Sequence, residues 1–228
     1  MRCLGVIPAR SGSKRLPRKN VADFLGQPVI TYTIRAALES GVLDRVIVST
    51  EDAKTAEIAR RAGAEVIDRP QPLATDTVGV LDVCLHALDE EERQGRAYDV
   101  LCCLYATAPL RTAEDIRGTM APVLAGECDF CAAVCGYDMP PHQALVADGQ
   151  GGLRYMWPEL ANLRSQDLPE FLVDNGSTYV ARVSALRRER NFLGRDFCGY
   201  RMPRLRSADI DVQEDLDLAR IIGRELLA

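Results

Sequence analysis

A short segment near the start of the chain concentrates positive charge, although the whole chain carries a formal net charge of −5. In this segment Gly12 lies between Ser11 and Ser13, and its neighbours include five cations: Arg10, Lys14, Arg15, Arg18 and Lys19. A glycine-containing loop with backbone amides, hydroxyl groups and cations is suited to binding a polyphosphate. The segment matches neither the Walker pattern nor the dinucleotide-binding glycine pattern, so it indicates neither an ATPase nor a dehydrogenase. A solvated basic loop is the alternative that composition leaves open.

A second candidate lies near the other end of the chain, where Asp209 and Asp211 flank Ile210. Side chains alternate along an extended segment, so both carboxylates are expected to point to the same side. Such a pair suits Mg²⁺, which takes one or two carboxylates and completes its shell with water and phosphate oxygens. Glu214, Asp215 and Asp217 instead fit the first turn of a final helix, where negative charge is favourable. Together with the cationic loop, Asp209 and Asp211 predict a centre for phosphoryl chemistry on a metal-bound triphosphate.

The elements that position these residues follow from apolar patterning. Apolar strands are predicted at residues 3–8, 45–49, 65–67, 98–104, 129–135 and 177–183, and helices at 28–39, 53–62, 78–92, from 112 onward and at 213–227,. Alternation of apolar strands with amphipathic helices predicts an α/β fold, a mostly parallel sheet with helices on both faces. The cationic loop follows the first strand and therefore leaves the carboxyl edge of the sheet, where open α/β sheets bind ligands.

The alternation stops between residues 138 and 170. This stretch contains Pro140, Pro141, several glycines and the only tryptophan, Trp157, which predicts an extended excursion,. Two interpretations remain open, a subunit contact and a mobile surface loop. Of these two, we expect the subunit contact: one domain over residues 1–228, with 138–170 as an inserted dimerisation arm.

Composition sets the class and the expected compartment. The 228 residues are 47% hydrophobic and 27% charged, which is typical of a globular domain,. The mild acidity disfavours a nucleic-acid or membrane-surface partner, and the absence of a signal-like or membrane-spanning apolar run predicts a cytoplasmic protein. The eight cysteines are expected to be free thiols, and a zinc site at Cys128, Cys131 and Cys135 is disfavoured because a fourth ligand is not evident.

Several motifs that occur in order along the chain carry a family resemblance. They are residues 7–20 (IPARSGSKRLPRKN), 48–52 (VSTED), 69–70 (RP) with 73–76 (LATD), 105–109 (YATAP) and 209–211 (DID). In these motifs the chain resembles the acylneuraminate cytidylyltransferases, the CMP-sugar synthetases of nine-carbon acid sugars. The resemblance implies a Rossmann-like nucleotidyltransferase fold and a homodimer joined by the mid-chain arm.

The resemblance also implies a reaction and a set of site residues. CTP and a nonulosonic acid would give a CMP-sugar and pyrophosphate, by attack of the anomeric hydroxyl on the α-phosphate, with Mg²⁺ as cofactor. Asp209 and Asp211 match the family's metal ligands, and whether Asp209 also takes a proton is left open. The implied catalytic residues are Arg10, Lys19, Asp209 and Asp211, and the implied nucleotide-binding residues are Ala9, Arg10, Ser11, Ser13, Lys14, Lys19, Asn20 and Arg69.

For the sugar site, different segments of the chain resemble different branches of the family. Its expected residues are Tyr105, Thr107, Arg164 and Tyr179, with Arg164 facing the sugar carboxylate. Tyr105, where sialic acid synthetases usually have Gln, and residues 164–169 resemble the pseudaminic acid branch, whereas residues 174–179 resemble the sialic or legionaminic branch. Pseudaminic acid is the favoured substrate. The alternatives are a sialic or legionaminic acid, another acid sugar such as 3-deoxy-manno-octulosonate, a sugar-alcohol phosphate, and a CTP-sensing module without catalysis.

Overall fold

A seven-stranded mixed sheet organises the chain. The computed structural model describes residues 1–137, 139, 141–161 and 163–227, so Asp138 and Pro140, at the start of the expected arm, lie outside the described residues. In sequence order the sheet strands are β1 (Cys3–Pro8), β4 (Arg45–Thr50), β5 (Glu65–Asp68), β6 (Val100–Leu104), β7 (Phe130–Gly136), β10 (Leu172–Arg182) and β11 (Phe197–Arg201). Two short pairs complete the strands, β2 (Asp23–Phe24) with β3 (Gln27–Pro28), and β8 (Leu145–Ala147) with β9 (Leu153–Tyr155).

The spatial order of the sheet is β11-β7-β10-β6-β1-β4-β5. Every neighbouring pair is parallel except the two that involve β10, which runs antiparallel to both β6 and β7. The predicted mostly parallel sheet is therefore confirmed. The helices are α1 (Val29–Ser40), α2 (Ala53–Arg61), α3 (Val80–Arg93), α4 (Ala113–Ala125), α5 (Val183–Glu189) and α6 (Gln213–Leu226).

Burial on both faces explains why the central strands are continuously apolar. In β1, Cys3 and Ile7 belong to one core cluster, whereas Leu4 and Val6 belong to another on the opposite face. Each fully buried aliphatic side chain of this kind contributes about 1.5–3 kcal/mol of transfer free energy. A third cluster packs α6 against Phe24 and Leu110, and it contains Ile210, the residue between the two C-terminal aspartates.

The capping signal at Thr112 predicts the start of α4 correctly. The Thr112 side chain accepts from the Asp115 backbone N–H at 3.3 Å, and Asp115 Oδ2 accepts from the Thr112 N–H at 2.9 Å. This reciprocal arrangement satisfies two N–H groups that a helix start would leave unpaired.

The second half of the chain departs from the sequence prediction in several elements. Strand β10 begins at Leu172 instead of residue 177, and a bulge between Asp174 and Tyr179 interrupts its pairing with β7. The sequence pattern did not predict β11, α5 or the β8-β9 hairpin inside residues 138–170, because these elements are short and partly exposed. All eight cysteines carry free thiols, seven of them buried. Across the described part of the chain, no helix has the length and apolar character needed to cross a bilayer.

Candidate active site

The cationic loop leaves the end of β1 and is fixed by hydrogen bonds from its own residues. The buried Asn20 donates its Nδ2 to the Arg10 carbonyl at 2.9 Å, which joins the two ends of the loop. Ser11 donates both its backbone N–H and its hydroxyl to Glu51 Oε1, at 2.7 and 2.8 Å. The loop is therefore attached to the segment that follows β4, the strand that pairs in parallel with β1.

Arg69 binds the main chain at the same edge of the sheet. It is buried, and it donates Nη2 to the Ser49 carbonyl at 2.6 Å and Nε to the Ser49 hydroxyl at 3.3 Å. The Ala9 backbone N–H also donates to the Ser49 carbonyl, at 3.0 Å, and the Ala9 side chain is buried. Burial lowers the pKa of Arg69 from its ordinary value, although the charge of Glu51 opposes this shift.

One carboxylate faces the first half of the cationic loop. Asp76 accepts a hydrogen bond from Arg10 Nη1 and forms an ion pair with Lys14 Nζ at 2.6 Å. The hydrogen bonds from Lys14 and Arg10 lower the pKa of Asp76. Because these groups are solvent-exposed, their attraction is screened, and an incoming polyphosphate can replace Asp76 as the partner of both cations.

Asp211 faces the second half of the loop across 192 residues of sequence. It accepts from Lys19 Nζ at 2.7 Å and from Arg15 Nη2 at 2.6 Å. Partial burial acts to raise the pKa of Asp211, but the hydrogen bond and charge of Lys19, together with Arg15, outweigh it and lower the pKa. The Asp211 backbone N–H donates to Asp215 Oδ2 at 2.8 Å, so the start of α6 fixes the main chain here.

Asp209 is held from two directions. The Thr107 hydroxyl donates to Asp209 Oδ1 at 2.6 Å, and the Ile210 N–H donates to the Thr107 carbonyl at 3.0 Å. On the other side, a Cβ built on Gly176 would lie only 2.8 Å from Asp209 Oδ2, and Gly176 has φ +67°. Burial raises the pKa of Asp209, against the opposing effects of the Thr107 hydrogen bond and the Lys19 charge.

Three adjoining cavities meet at these residues. The inner cavity, about 300 Å³, is lined by Pro8, Arg10, Lys19, Asn20, Arg69, Leu73, Thr75, Val78, Val80, Val83, Tyr105, Ala106 and Thr107. The loop cavity, about 270 Å³, is lined by Arg10, Gly12, Ser13, Lys14, Arg15, Lys19, Asn20, Asp76 and Asp211. The outer cavity, about 660 Å³, is lined by Tyr105, Cys135, Gly136, Tyr137, Met139, Val173, Asp174, Asn175, Gly176, Tyr179, Arg204, Ser207 and Asp209. The inner cavity shares Arg10, Lys19 and Asn20 with the loop cavity and Tyr105 with the outer one.

Tyr105, which lines both the inner and the outer cavity, pairs with Tyr179 of the outer cavity. The rings of Tyr105 and Tyr179 lie 5.3 Å apart between centroids, and the Tyr179 hydroxyl lies 2.7 Å from Asp174 Oδ2, to which it donates. Burial raises the pKa of both tyrosines, so both are neutral donors at neutral pH. Beneath them Arg111, only 3% exposed, donates Nη1 to the Ser177 carbonyl at 2.6 Å, and burial lowers its pKa to about 10.

The structure distributes the predicted residues unequally around this centre. Most of them line the cavities: Arg10, Ser13, Lys14, Lys19, Asn20, Arg69, Tyr105, Thr107, Tyr179, Asp209 and Asp211. Ala9 and Ser11 instead attach the loop to its neighbours. Arg164 pairs with Asp167 at 3.0 Å, is 77% exposed, and is not among the described residues that line the three cavities.

Sequence reasoning assigned no site role to Asp76, Asp174, Gly176 or Arg204, although all four line these cavities. For Asp174 and Gly176 the signal available was the Asn175-Gly176 dipeptide, which marks a turn or a bulge. Asp76 belongs to the motif at residues 73–76 (LATD), which assigned it no role, and nothing local distinguishes Arg204 from other surface charges. Their proximity to the centre depends on the fold.

The arrangement can bind a polyphosphate and bring a second, larger polar molecule up to it. Four cations and Asp211 line the loop cavity, and Asp209 lines the outer cavity. Among the described residues no cluster of three or more His, Cys, Asp or Glu is arranged to hold a metal. A metal held at Asp209 and Asp211 would therefore need oxygen atoms from the substrate and water, as Mg²⁺ takes beside triphosphates.

Comparison with known proteins gives this geometry a family. The family profile described as Cytidylyltransferase matches residues 4–136. The pseudaminic acid cytidylyltransferase of Campylobacter jejuni is 34% identical over 97% of this chain and 96% of its own length. The CMP-N,N'-diacetyllegionaminic acid synthase of Legionella pneumophila is 34% identical over 84% and 83%.

A solved structure of similar fold extends over the whole chain. The CMP:2-keto-3-deoxy-manno-octonic acid synthetase complexed with CTP aligns with a TM-score of 0.74, at 18% identity, over 99% of both chains. At that identity the likeness establishes the fold. From its family profile and its near full-length relatives, the chain belongs to the cytidylyltransferase family and is a nucleotidyltransferase.

Proposed function

We propose that the protein transfers the cytidylyl group of CTP to a nine-carbon nonulosonic acid, with pseudaminic acid as the substrate, giving the CMP-sugar and pyrophosphate. The observation that carries this proposal is the contact of Arg15 and Lys19 with Asp211, at 2.6 and 2.7 Å, in a loop cavity that shares residues with the inner cavity. Identity of 34% over nearly the whole length to a pseudaminic acid cytidylyltransferase supports the substrate.

In this proposal the three cavities bind different parts of the two substrates. Arg10, Lys14 and Lys19 bind the triphosphate in the loop cavity, with Ser13 and Asn20, after the phosphates replace Asp76 at Arg10 and Lys14. The cytidine occupies the inner cavity above Arg69. The sugar occupies the outer cavity, where Tyr105, Thr107 and Tyr179 limit its position.

Asp209 and Asp211 are the residues that would hold Mg²⁺. They fit this ion because Asp209 is a half-buried carboxylate that, within the described part of the chain, accepts a hydrogen bond from the neutral Thr107, so a cation beside it would stabilise its charge,. When bound, Mg²⁺ would neutralise negative charge on the phosphate that is attacked.

The chain's own contribution to the reaction is orientation and charge neutralisation. The bond from the anomeric oxygen to the α-phosphorus forms, the bond from that phosphorus to the pyrophosphate oxygen breaks, and the hydroxyl proton passes to water. Lys19 and Arg10 stabilise the charge that moves onto pyrophosphate. No protein nucleophile is required, and burial raises the pKa of the Cys102 thiol in the core to about 12.

The proposal includes a homodimer formed through residues 138–170. In the described part of that arm, large apolar side chains are exposed: Leu145 at 52%, Leu153 at 67% and Met156 at 51%. Exposed apolar groups concentrated on one projection are typical of an interaction surface. Light scattering after gel filtration should give twice the mass of the 25.1 kDa chain, and a monomer for the L153D/M156D variant.

The substrate is tested by CTP-dependent pyrophosphate release with a panel of acid sugars. Pseudaminic acid should give the highest kcat/KM, and mass spectrometry should detect its CMP conjugate. A legionaminic acid is the second candidate, because the Legionella relative is also 34% identical. Preference for it would overturn the choice of sugar, and CTP binding without turnover of any acid would indicate a sensing module.

A further inference from the structure

Arg111 is a buried cation whose hydrogen bonds go to main-chain carbonyls. It lies between β6 and α4, and its side chain is 3% exposed. Its Nη1 donates to the Ser177 carbonyl at 2.6 Å, and Nη1 and Nη2 both donate to the Tyr105 carbonyl at 3.5 Å. Among the described residues, its Nε has no hydrogen-bond partner. No step of the proposed reaction uses this residue.

Two other arginines of the chain show what a buried ion pair looks like here. Arg206 binds both oxygens of the fully buried Asp115, and Arg96 binds both oxygens of the buried Glu91. A carboxylate partner offsets much of the cost of removing a charge from water, and a carbonyl partner offsets less of it. Burial accordingly lowers the pKa of Arg111 to about 10. A charge at this cost indicates that the planar set of guanidinium donors serves to fix geometry.

The two carbonyls that Arg111 joins belong to strands that carry the site. Tyr105 directly follows β6 and lines both the inner and the outer cavity. Ser177 is fully buried and lies within the bulge of β10, next to Gly176. The Tyr105 N–H also donates to the Ser177 carbonyl, at 3.0 Å. The position of the bulge relative to the end of β6 is therefore fixed by the arginine as well as by the main chain.

The bulge in turn limits where Asp209 can lie. A Cβ built on Gly176 would be 2.8 Å from Asp209 Oδ2, so the main chain of the bulge lies directly against the carboxylate. The buried Asn175 donates Nδ2 to the hydroxyl of Ser207, two residues before Asp209, at 3.0 Å. Asn175 also accepts from the Ser177 hydroxyl at 2.8 Å. A shift of the bulge would therefore move both the carboxylate and the segment that leads to it.

We propose that Arg111 is a positioning residue for the reaction: by joining the Tyr105 and Ser177 carbonyls, it holds the bulge of β10 in the place that Asp209 requires. Arg111 touches neither substrate and acts through the main chain of the bulge. This assignment rests on the proposed function, in which Asp209 belongs to the reacting centre.

The variant R111M removes the donors and leaves an unbranched apolar side chain. We expect the kcat of CTP-dependent pyrophosphate release to fall about 10- to 100-fold, as for a displacement of about 1 Å. The KM for CTP should stay within about threefold of wild type, because other residues line the loop cavity,. R111K should recover part of kcat, since it keeps a cation but loses the planar fork of donors. In a crystal structure of substrate-free R111M, the bulge should lie about 1 Å from its wild-type position relative to Asp209.

A double-mutant cycle separates positioning from a general loss of stability. If Arg111 acts through the contact between Gly176 and Asp209, R111M should lower kcat by less than about threefold in a G176A background, where that contact is already disturbed. G41A is the matched background, because Gly41 has a φ of +68° and no atom within 4 Å of the position that a Cβ would take. In G41A, R111M should lower kcat by as much as in wild type.

R96M is the matched control for the loss of an arginine. Arg96 binds the buried Glu91 and is not among the described residues that line the three cavities. R96M should lower Tm and keep kcat within about twofold of wild type. If R111M does not fold, R111K is measured in the wild-type, G176A and G41A backgrounds with the same expectations.

The outcomes distinguish this assignment from the proposed function. With an active wild-type enzyme, a kcat of R111M within about twofold of wild type overturns the role of Arg111 alone. A loss of kcat that is equally large in the wild-type and G176A backgrounds, or an unmoved bulge in the crystal structure of R111M, overturns it too. A wild-type enzyme that releases no pyrophosphate with any acid sugar overturns the proposed function itself.

Discussion

Gly176 provides a sensitive test of whether Asp209 must occupy its observed position. Its φ of +67° lies in the left-handed region, where a side chain adds about 1–2 kcal/mol of strain,. A Cβ at this position would also meet Asp209 Oδ2 at 2.8 Å, so the carboxylate must retreat by about 0.6 Å to restore contact at 3.4 Å,.

We expect G176A to lower both stability and turnover. The backbone strain should reduce Tm by about 2–8 °C in a chain of this length. Because a displacement of about 1 Å can reduce a rate about 100-fold, kcat should fall by roughly 10- to 100-fold. Differential scanning fluorimetry and pyrophosphate release at saturating CTP, sugar and Mg²⁺ measure the two effects separately.

Gly41 offers the matched control. Its φ is +68°, nearly the same as that of Gly176, but no atom lies within 4 Å of the position that a Cβ would take. It ends α1, away from the cavities. G41A should therefore lose a similar amount of Tm and keep its kcat.

The comparison isolates the contact with Asp209 from the strain in the main chain. G176N should recover part of the stability, since Asn tolerates the left-handed region, without recovering kcat. A G176A enzyme with kcat within about twofold of wild type would refute the requirement for Asp209 at this position.

Three further outcomes follow from the charges of the site. D211N should lower kcat at least about 100-fold without raising the KM for CTP, because it removes transition-state charge and also releases Lys19; near wild-type turnover would contradict this,. D209N should raise the Tm of the substrate-free protein at pH 7. The raised pKa of Asp209 means that its ionised form destabilises the native state,. The gain in Tm from D209N should therefore shrink as the pH falls through that pKa toward 3.8. A gain in Tm that does not depend on pH would contradict this prediction. R206M leaves the fully buried Asp115 without its bidentate partner and should reduce the free energy of unfolding by about 3 kcal/mol in urea, whereas an unchanged midpoint would show that the pair is dispensable,.

The sequence predicts the architecture well where local patterns are strong. Continuous apolar strands such as residues 98–104 and the capping signal at Thr112 lie within one element, and the structure has both elements there. The bulged strand β10 was predicted too short because its first half is partly exposed and lacks a continuous apolar run. Its antiparallel placement between β6 and β7 depends on the order of the sheet, which no local pattern contains.

The cationic loop, the aspartate pair and their chemistry are properties of the sequence alone, because residue type and short spacing define what a loop or an extended segment can bind. Lys19 and Asp211 are 192 residues apart, and only the fold brings them into contact. The fold also decides which surface arginine lines the outer cavity, placing Arg204 there and pairing Arg164 with Asp167 in the arm. The physical reason is that local propensity acts over a few residues, whereas a site between loops depends on which strands pair and in what order.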